Sequence, residues 1–153
     1  MTQFRRVSVS AVLLGFFLSF FLISELWAFS TTESKLFHQG PFAFKLEIYL
    51  NGNGSLKKQN PIPITSLKIK MKNEKASSEV LKVKAVRIYL SPNVFRDIET
   101  REFSVSTGQW VTKHFRLRKG EQPLLGEKGY VEVIFENFSI QFNPRERKFY
   151  GPV

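Results

Sequence analysis

Residues 42–50 have the sequence FAFKLEIYL, in which a large apolar side chain occupies every second position. Successive side chains of a β-strand point to opposite faces, so this alternation is typical of a strand with one buried face. The face predicted to lie in the core has Phe42, Phe44, Leu46, Ile48 and Leu50. The face predicted to meet solvent has Ala43, Lys45, Glu47 and Tyr49.

The same two-residue period recurs further along the chain. The core side of residues 64–72 is predicted to contain Leu67, Ile69 and Met71. Their solvent side is predicted to contain Lys68, Lys70 and Lys72. Further strands are predicted over residues 80–90, 102–106, 110–118 and 129–142, and turns rich in glycine, asparagine and proline separate them.

Four stretches depart from simple alternation. In residues 80–90 the apolar positions change phase, which predicts a β-bulge near Ala85 or burial on both faces. A second bulge or bend is predicted near Asn137 for the same reason. Residues 94–101 are predicted to form a helical turn or an irregular crossover. Residues 57–63 are predicted to be irregular, because prolines exclude a central strand there.

Six or seven short strands with regular turns, and no convincing helix after residue 30, are typical of an all-β domain. The expected architecture is a single antiparallel β-sandwich of immunoglobulin-like type over residues 42–143. A small closed barrel is the alternative. Residues 31–41, which are polar and without a period, are expected to be a tether, and residues 144–153 a basic C-terminal tail.

The N-terminal residues have the order of a secretory signal peptide. Two arginines, Arg5 and Arg6, precede an uncharged apolar run over residues 7–23, and the small residues Ala28 and Ser30 follow. As a hydrophobic helix the run would extend about 26 Å, slightly less than the ~30 Å of a bilayer core. Residues 1–30 are therefore predicted to be a signal peptide or, alternatively, an uncleaved anchor that contacts the membrane through residues 7–29.

Both alternatives place residues 31–153 outside the cytoplasm, in the periplasm or at the outer face of the inner membrane of a bacterium. The chain contains no cysteine, which excludes disulfides and thiolate sites and fits a periplasmic location. After residue 30 it has 21 basic and 12 acidic residues, hence a net charge of +9. An excess of this size favours anionic partners, although a soluble surface that happens to be basic is the alternative interpretation.

Residues suited to catalysis or metal binding are scarce. Cysteine is absent, Asp97 is the only aspartate, and the two histidines, His38 and His114, have no neighbouring carboxylate in the sequence. A metal site needs several such ligands at close spacing, and a nucleophilic serine needs a base and an orienting acid. We therefore expect no enzymatic activity, no metal and no cofactor.

Two groups of residues are candidates for binding. Lys68, Lys70 and Lys72 would form a row with side chains about 6.6–6.8 Å apart, suited to an extended anionic ligand. Lys82 and Lys84 would extend this row if the two strands pair. The alternative is that the lysines protect an exposed edge strand from pairing with other chains.

The second group is aromatic and basic. Trp110 is a candidate partner anchor, with a core or rim position as the alternative. The C-terminal tail is a candidate docking peptide, with a frayed terminus as the alternative. Its candidate contacts are Arg145, Arg147, Lys148, Phe149 and Tyr150. Nucleic acid is not expected as a partner, because an exported protein is separated from the nucleic acid of the cell. In addition, no set of aromatic side chains alternates with the lysines to stack on bases.

The function that these observations favour is a non-enzymatic binding or assembly module that contacts another protein of the cell envelope. The alternative is a basic module that binds anionic lipid or acidic glycan.

The N-terminal residue of the native protein tests the export prediction. We expect the protein isolated from its own cells to begin at Thr31, or at Phe29 if cleavage follows Ala28, because small residues precede a signal-peptidase cut. N-terminal sequencing or intact-mass measurement gives the answer. A membrane-bound chain that retains Met1 would identify the anchor instead, and a cytosolic chain with Met1 would contradict export altogether.

Overall fold

The computed structural model describes residues 28–53, 61–74 and 80–152. For residues 28–32 and 53 it describes the backbone only. Of the predicted signal or anchor segment, residues 1–30, residues 1–27 lie outside this part of the chain, and residues 28–30, where cleavage was predicted, belong to a strand. The described residues form strands, turns and loops without a helix. Accordingly, no helix among them is long and apolar enough to cross a membrane.

Eleven strands occur in the described residues. They are β1 (Ala28–Gln39), β2 (Phe42–Asn53), β3 (Ile62–Asn73), β4 (Leu81–Ser91), β5 (Val94–Glu99), β6 (Phe103–Val105), β7 (Trp110–Arg116), β8 (Leu124–Leu125), β9 (Tyr130–Phe135), β10 (Ser139–Asn143) and β11 (Lys148–Tyr150).

The strands form two antiparallel sheets. Sheet one has the order β1-β2-β3-β7, and the short β8 also pairs with β3. Sheet two has the order β11-β10-β9-β4-β5, and β6 also pairs with β4. The apolar faces of the two sheets pack on one common core. The predicted all-β sandwich is therefore confirmed, and the described residues do not form the closed barrel that was the alternative.

The first strand lies where the sequence predicted a tether. Residues 28–39 pair with β2 along their whole length, from Ala28 opposite Asn53 to Gln39 opposite Phe42. The sequence of β1 shows no alternation of apolar and polar residues, because the strand is at the edge of the sheet and few of its side chains reach the core. Phe37 is its only buried residue among those whose side chains are described.

Strand β3 confirms the predicted inward set, since Leu67, Ile69 and Met71 are fully buried. It begins at Ile62, however, so Pro63 lies inside a strand that was expected to start later. The pairing with β2 ends at Ile64, and Pro63 is opposite Leu124 of the short β8. A proline is tolerated there because the β2 side of the strand needs no N–H donor.

The phase change in β4 has the predicted cause. Pairing with β9 shifts between Val83 and Ala85, which is the bulge expected near Ala85. It allows Val83 and Val86 both to be buried despite their odd spacing. The segment after β4 was predicted wrongly: residues 94–99 are a strand that folds back onto β4 through a turn at Pro92 and Asn93.

The last predicted strand is in fact a hairpin. Residues 129–142 divide into β9 and β10, which pair antiparallel. The Phe135 amide donates to the carbonyl of Phe138 (2.8 Å) and closes the turn. The apparent phase change near Asn137 is therefore a reversal of the chain. The predicted tail also belongs to the sheet, because β11 pairs with β10 and buries Phe149.

The loop between β7 and β9 is attached to the sandwich by close backbone contact. The amide of Gly126 donates to the carbonyl of Leu90 at 3.0 Å. A Cβ atom at residue 126 would lie 2.6 Å from that oxygen, so only glycine allows this approach. Leu125 next to it is fully buried, which anchors the loop in the core.

Phenylalanine rings join the two sheets. The Phe44 ring of sheet one lies with its centroid 5.2 Å from that of Phe135 in β9 of sheet two and 5.7 Å from that of Phe138 in the turn between β9 and β10. Phe37 of β1 meets Phe149 of β11 edge to face at 5.7 Å. Aromatic pairs at these separations contribute beyond the area they bury.

Truncation of the central ring should be strongly destabilising. Phe44→Ala removes a fully buried side chain with three ring neighbours, and we expect a loss of about 3–5 kcal/mol in the free energy of unfolding. Urea denaturation of the full-length chain gives this value. The matched control is Phe95→Ala, at a ring that is 48% exposed, and its loss should be smaller. Equal losses would contradict this account of the core.

Candidate functional site

The outer face of sheet one brings basic side chains of three strands together. Lys45 is on β2, Lys68, Lys70 and Lys72 are on β3, and Arg116 is on β7. The pairing sets their neighbours: Lys72 lies between Lys45 and Trp110, and Lys68 lies between Tyr49 and His114. We call this surface the basic face. It comprises Lys45, Glu47, Tyr49, Lys68, Lys70, Lys72, Trp110, Thr112, His114 and Arg116.

The direction of these side chains follows from the core. The alternate positions of β3 are filled by Leu67, Ile69 and Met71, which are fully buried against sheet two. The intervening lysines must then point away from the core, because neighbouring residues of a strand face opposite sides. The burial of the apolar set therefore determines the orientation of the charged one.

The lysine row lies on a central strand. β3 is flanked by β2 on one side and by β7 on the other. The alternative that Lys68, Lys70 and Lys72 protect an exposed edge therefore does not apply to this strand.

Lys82 and Lys84 do not extend the row. They lie on β4, which belongs to sheet two and has no pairing with β3. The sequence showed two strands of alternating lysines but could not show that they belong to different sheets. The five-lysine face is therefore wrong as a single surface.

Two aromatic side chains lie among the lysines, contrary to the expectation that none alternates with them. The ammonium of Lys45 is 5.7 Å, and that of Lys70 6.0 Å, from the ring centroid of Trp110. Lys68 and Lys70 are similarly 5.4 and 5.7 Å from the ring of Tyr49. Trp110 is 45% exposed, so it is a surface residue and not part of the core.

Glu47 is the only carboxylate among the residues of the basic face. Its oxygens lie 3.5 Å from the ammonium of Lys45 and 3.9 Å from that of Lys70. Glu47 also accepts a hydrogen bond from the Tyr49 hydroxyl at 2.9 Å. This bond to a carboxylate, with burial and the negative charge of Glu47 as further causes, raises the pKa of Tyr49.

The remaining cations of this face have no acidic partner in the part of the chain that the structure describes. Within the described residues Lys68, Lys72 and Arg116 have no carboxylate within ion-pair distance. The face thus combines five cations with a single carboxylate, on a surface where Trp110 is accessible.

Sheet two has cations that are compensated. The Lys84 ammonium lies 2.7 Å from Glu102, and Lys82 lies 3.9 Å from Glu136. Arg87 donates to Asp97 at 2.5 Å, and its guanidinium is 4.5 Å from the ring centroid of Phe95. The two outer surfaces of the sandwich therefore differ in charge compensation, although both contain lysines in alternating positions.

The C-terminal candidates are part of the fold. Phe149 is only 6% exposed and packs on Phe142, so it is a core residue here and not an available contact. The amide of Arg145 donates to the side chain of Asn143, in the turn between β10 and β11. Arg147, Lys148 and Tyr150 are exposed at the edge of sheet two.

Tyr150 has a local acidic partner. Its hydroxyl donates a hydrogen bond to the carboxylate of Glu146, which, together with burial and the charge of Glu146, raises the pKa of Tyr150. The tail residues and the basic face lie in different sheets, so the two groups of candidates do not form one site.

No site for metal chemistry is found in the described part of the chain, where no three ligands of the His, Cys, Asp or Glu type converge. His114 stands on the basic face and His38 near the end of β1. A shallow pocket at one end of the sandwich is lined by Phe42, Leu81, Phe135 and Phe138, with Lys82 and Glu136 at its rim. These side chains offer no nucleophile with an adjacent base.

The chain matches no protein-family profile, no curated protein sequence and no solved structure. Its function therefore has to be inferred from the chemistry of its own surfaces.

The charge compensation of sheet two can be measured. The hydrogen bond from Lys84, together with its positive charge, lowers the pKa of the Glu102 carboxyl. Replacing the Lys84 ammonium by the neutral amide of Lys84→Gln should raise the pKa of Glu102 toward its ordinary value, as followed by NMR titration of the side-chain carboxyl. Lys68→Gln, on the opposite sheet, is the matched control and should leave that pKa unchanged. An identical titration curve for Glu102 in Lys84→Gln would refute the pairing.

Proposed function

We propose that this chain is an exported, non-enzymatic binding domain of the cell envelope, which contacts an anionic partner through the basic face. The observation that supports this most directly is the excess of cations on sheet one. Lys68, Lys72 and Arg116 have no carboxylate partner in the described residues, whereas Lys84 and Arg87 of sheet two do.

The spacing of the charges suits a partner with repeated anionic groups. Lysines two positions apart on β3 are separated by about 6.6–6.8 Å, and neighbouring strands by about 4.8 Å. Lys45 lies directly opposite Lys72, so the charges extend in two directions over the sheet. A flat array of this kind attracts a surface or an extended polymer better than a single small anion.

The composition of the face favours anionic headgroups or acidic sugars over a folded protein. Lysine is depleted from the centres of protein–protein interfaces, whereas basic clusters are typical of surfaces that bind phosphate or carboxylate groups. Trp110 and Tyr49 add amphipathic rings of the kind found where proteins meet membranes or sugars. Another protein of the cell envelope, the partner expected from the sequence, is the other candidate, and it would have to be acidic to fit this face.

The remaining parts of the proposal come from the sequence. The order of charge, apolar run and small residues in residues 1–30 supports export. The scarcity of catalytic residue types in the sequence, and the lack of three converging metal ligands among the described residues, support a non-catalytic role. An immunoglobulin-like sandwich, favoured by the number and spacing of the strands, would present the basic face on the outer side of one hydrogen-bonded sheet.

Charge-matched variants test the proposal. In nonionic detergent, the full-length chain is applied to beads that bear polyphosphate, a uronic-acid polysaccharide or polyglutamate, and affinity is measured against salt concentration. Replacing Lys68 and Lys72 by Gln should weaken binding to polyphosphate or to the polysaccharide about 30-fold. Each lysine is expected to contribute about 1 kcal/mol of binding free energy, and the loss of both corresponds to this factor. Replacing Lys82 and Lys148 by Gln removes the same charge from sheet two and should have little effect.

Equal losses in the two double variants would show that only net charge matters, and would refute the basic face as the site. No loss in either would do the same. A loss confined to polyglutamate would identify an acidic protein as the partner and overturn the assignment to headgroups or sugars. The polyphosphate and polysaccharide beads distinguish those two sources from each other.

A further inference from the structure

Strand β1 is an open edge of sheet one. Within residues 28–53, 61–74 and 80–152, β2 is the only strand that pairs with it. The other side of β1 therefore presents a row of backbone N–H and C=O groups that have no partner strand in the described part of the chain. Such a row is a template for pairing with another chain.

This edge is longer and more regular than the other edges of the sandwich. β1 has 12 residues, whereas β7 has seven, β5 has six and β11 has three. Its pairing with β2 runs over all 12 residues without a register shift. Bulges, prolines and short length are three of the ways in which proteins prevent edge pairing, and β1 has none of these three.

Two charges near the middle of β1 restrict how it can pair. Glu33 and Lys35 stand on the face that contains Phe37, opposite Ile48 and Leu46 of β2. Directly opposite residues of an antiparallel pair have to share a face. Neighbouring residues of a strand face opposite sides, so a twofold axis between two residues would place side chains of opposite faces in one pair. When a strand pairs with its own copy, the axis therefore passes through a residue.

Charge then selects among the allowed axes. An axis at Glu33 places two glutamates opposite each other, and an axis at Lys35 places two lysines opposite each other. An axis at Ser34 instead places each Glu33 opposite Lys35 of the second copy. Opposite charges across a pair are stabilising and like charges destabilising, so β1 is self-complementary about Ser34 alone of these three positions.

We propose that β1 is a self-association edge, which pairs antiparallel with β1 of a second copy of this chain about a twofold axis at Ser34. In the full-length chain the ladder extends from residue 29 opposite residue 39 to residue 39 opposite residue 29. In a chain cleaved after Ser30 it extends from residue 31 opposite residue 37 to residue 37 opposite residue 31. The β1-β2-β3-β7 sheets of the two copies become one sheet of eight strands. A twofold axis perpendicular to a sheet preserves its faces, so the two basic faces lie on the same side of the dimer.

The same pairing accounts for an exposed leucine. Leu36 is 45% exposed on the outer side of β1 and is not among the side chains of the core. In the proposed register it lies opposite Thr32 of the second copy, so the second strand covers part of it. The interaction requires no ligand and does not depend on the function proposed for the basic face.

Single cysteines provide a direct test, because the natural chain has none. The full-length chain in nonionic detergent is oxidised mildly and resolved without reductant. Ser34→Cys should form a disulfide-linked dimer, since directly opposite Cβ atoms are about 4.5–5.5 Å apart, close to disulfide geometry. Leu36→Cys should not, because the two copies of that residue are offset by about 14 Å along the strands. Any association through the detergent micelle would be the same in both variants, so a difference between them reports on the pairing of β1.

A charge exchange tests the register independently. Glu33→Lys or Lys35→Glu places like charges opposite each other and should weaken the dimer, measured by analytical ultracentrifugation, about tenfold or more. The double variant Glu33→Lys/Lys35→Glu restores opposite pairs and should recover the native affinity. Thermal unfolding of each variant establishes that the fold is retained.

A monomeric native chain at high concentration would overturn the proposal. Equal cross-linking of Ser34→Cys and Leu36→Cys would also overturn it, since the register would then be wrong. A failure of the double variant to recover would exclude the Glu33–Lys35 pairing. Cross-linking of Ser34→Cys in cells to a different protein, and not to its own copy, would show that β1 pairs with another partner.

Discussion

The packing of phenylalanine rings between the two sheets is the interaction on which the rest of this structure depends. The chain has no cysteine, so no disulfide joins the sheets, and burial of the inner faces has to hold them together. Phe44 contacts rings of both sheets and is completely buried. This constraint also orients the surface: because the apolar positions of β3 must face inward, the lysines between them must face outward.

The edges of sheet one show how a small sandwich limits unwanted pairing. Each edge strand has a lysine on its inner side that lies over an aromatic ring: Lys35 is 5.5 Å from Phe37, and Lys113 is 4.8 Å from Phe103. Inward charges of this kind disfavour the addition of an arbitrary strand. β1 differs from β7 because Glu33 accompanies its lysine, which makes one register of self-pairing favourable while neighbouring registers are penalised.

The sequence predicted those features that depend on a few neighbouring residues. β2, β3 and the bulge near Ala85 follow from local alternation, which burial of one face imposes. β1 and β11 escaped prediction because edge strands are mostly polar, and pairing rather than periodicity defines them. The hairpin near Asn137 was mistaken for a bend, because both alternatives change the phase of alternation in the same way.

The candidate site was only partly predictable, because it depends on the order of strands and not on the order of residues. Lys68, Lys70 and Lys72 were found, but Trp110 is nearly 40 residues further along the chain and joins them only because β7 pairs with β3. Lys82 and Lys84 are closer in sequence yet lie on the other sheet. One signal was available in the sequence. Lys45 and Tyr49 alternate with the core residues of β2, which predicts that a cation and an aromatic ring share the outer face of that strand.

The distribution of charge changes the meaning of the net value. A charge of +9 spread evenly would make a soluble surface without a site. Here Lys82, Lys84 and Arg87 of sheet two are matched by Glu136, Glu102 and Asp97, whereas Lys68, Lys72 and Arg116 of sheet one have no carboxylate within ion-pair distance among the described residues. Joining two copies through β1 would place two such faces in one plane. A partner with repeated anionic groups could then contact both at once, and the second contact would form at high effective concentration. The pairing of β1 and the placement of the lysines would in this way both contribute to the affinity for such a partner.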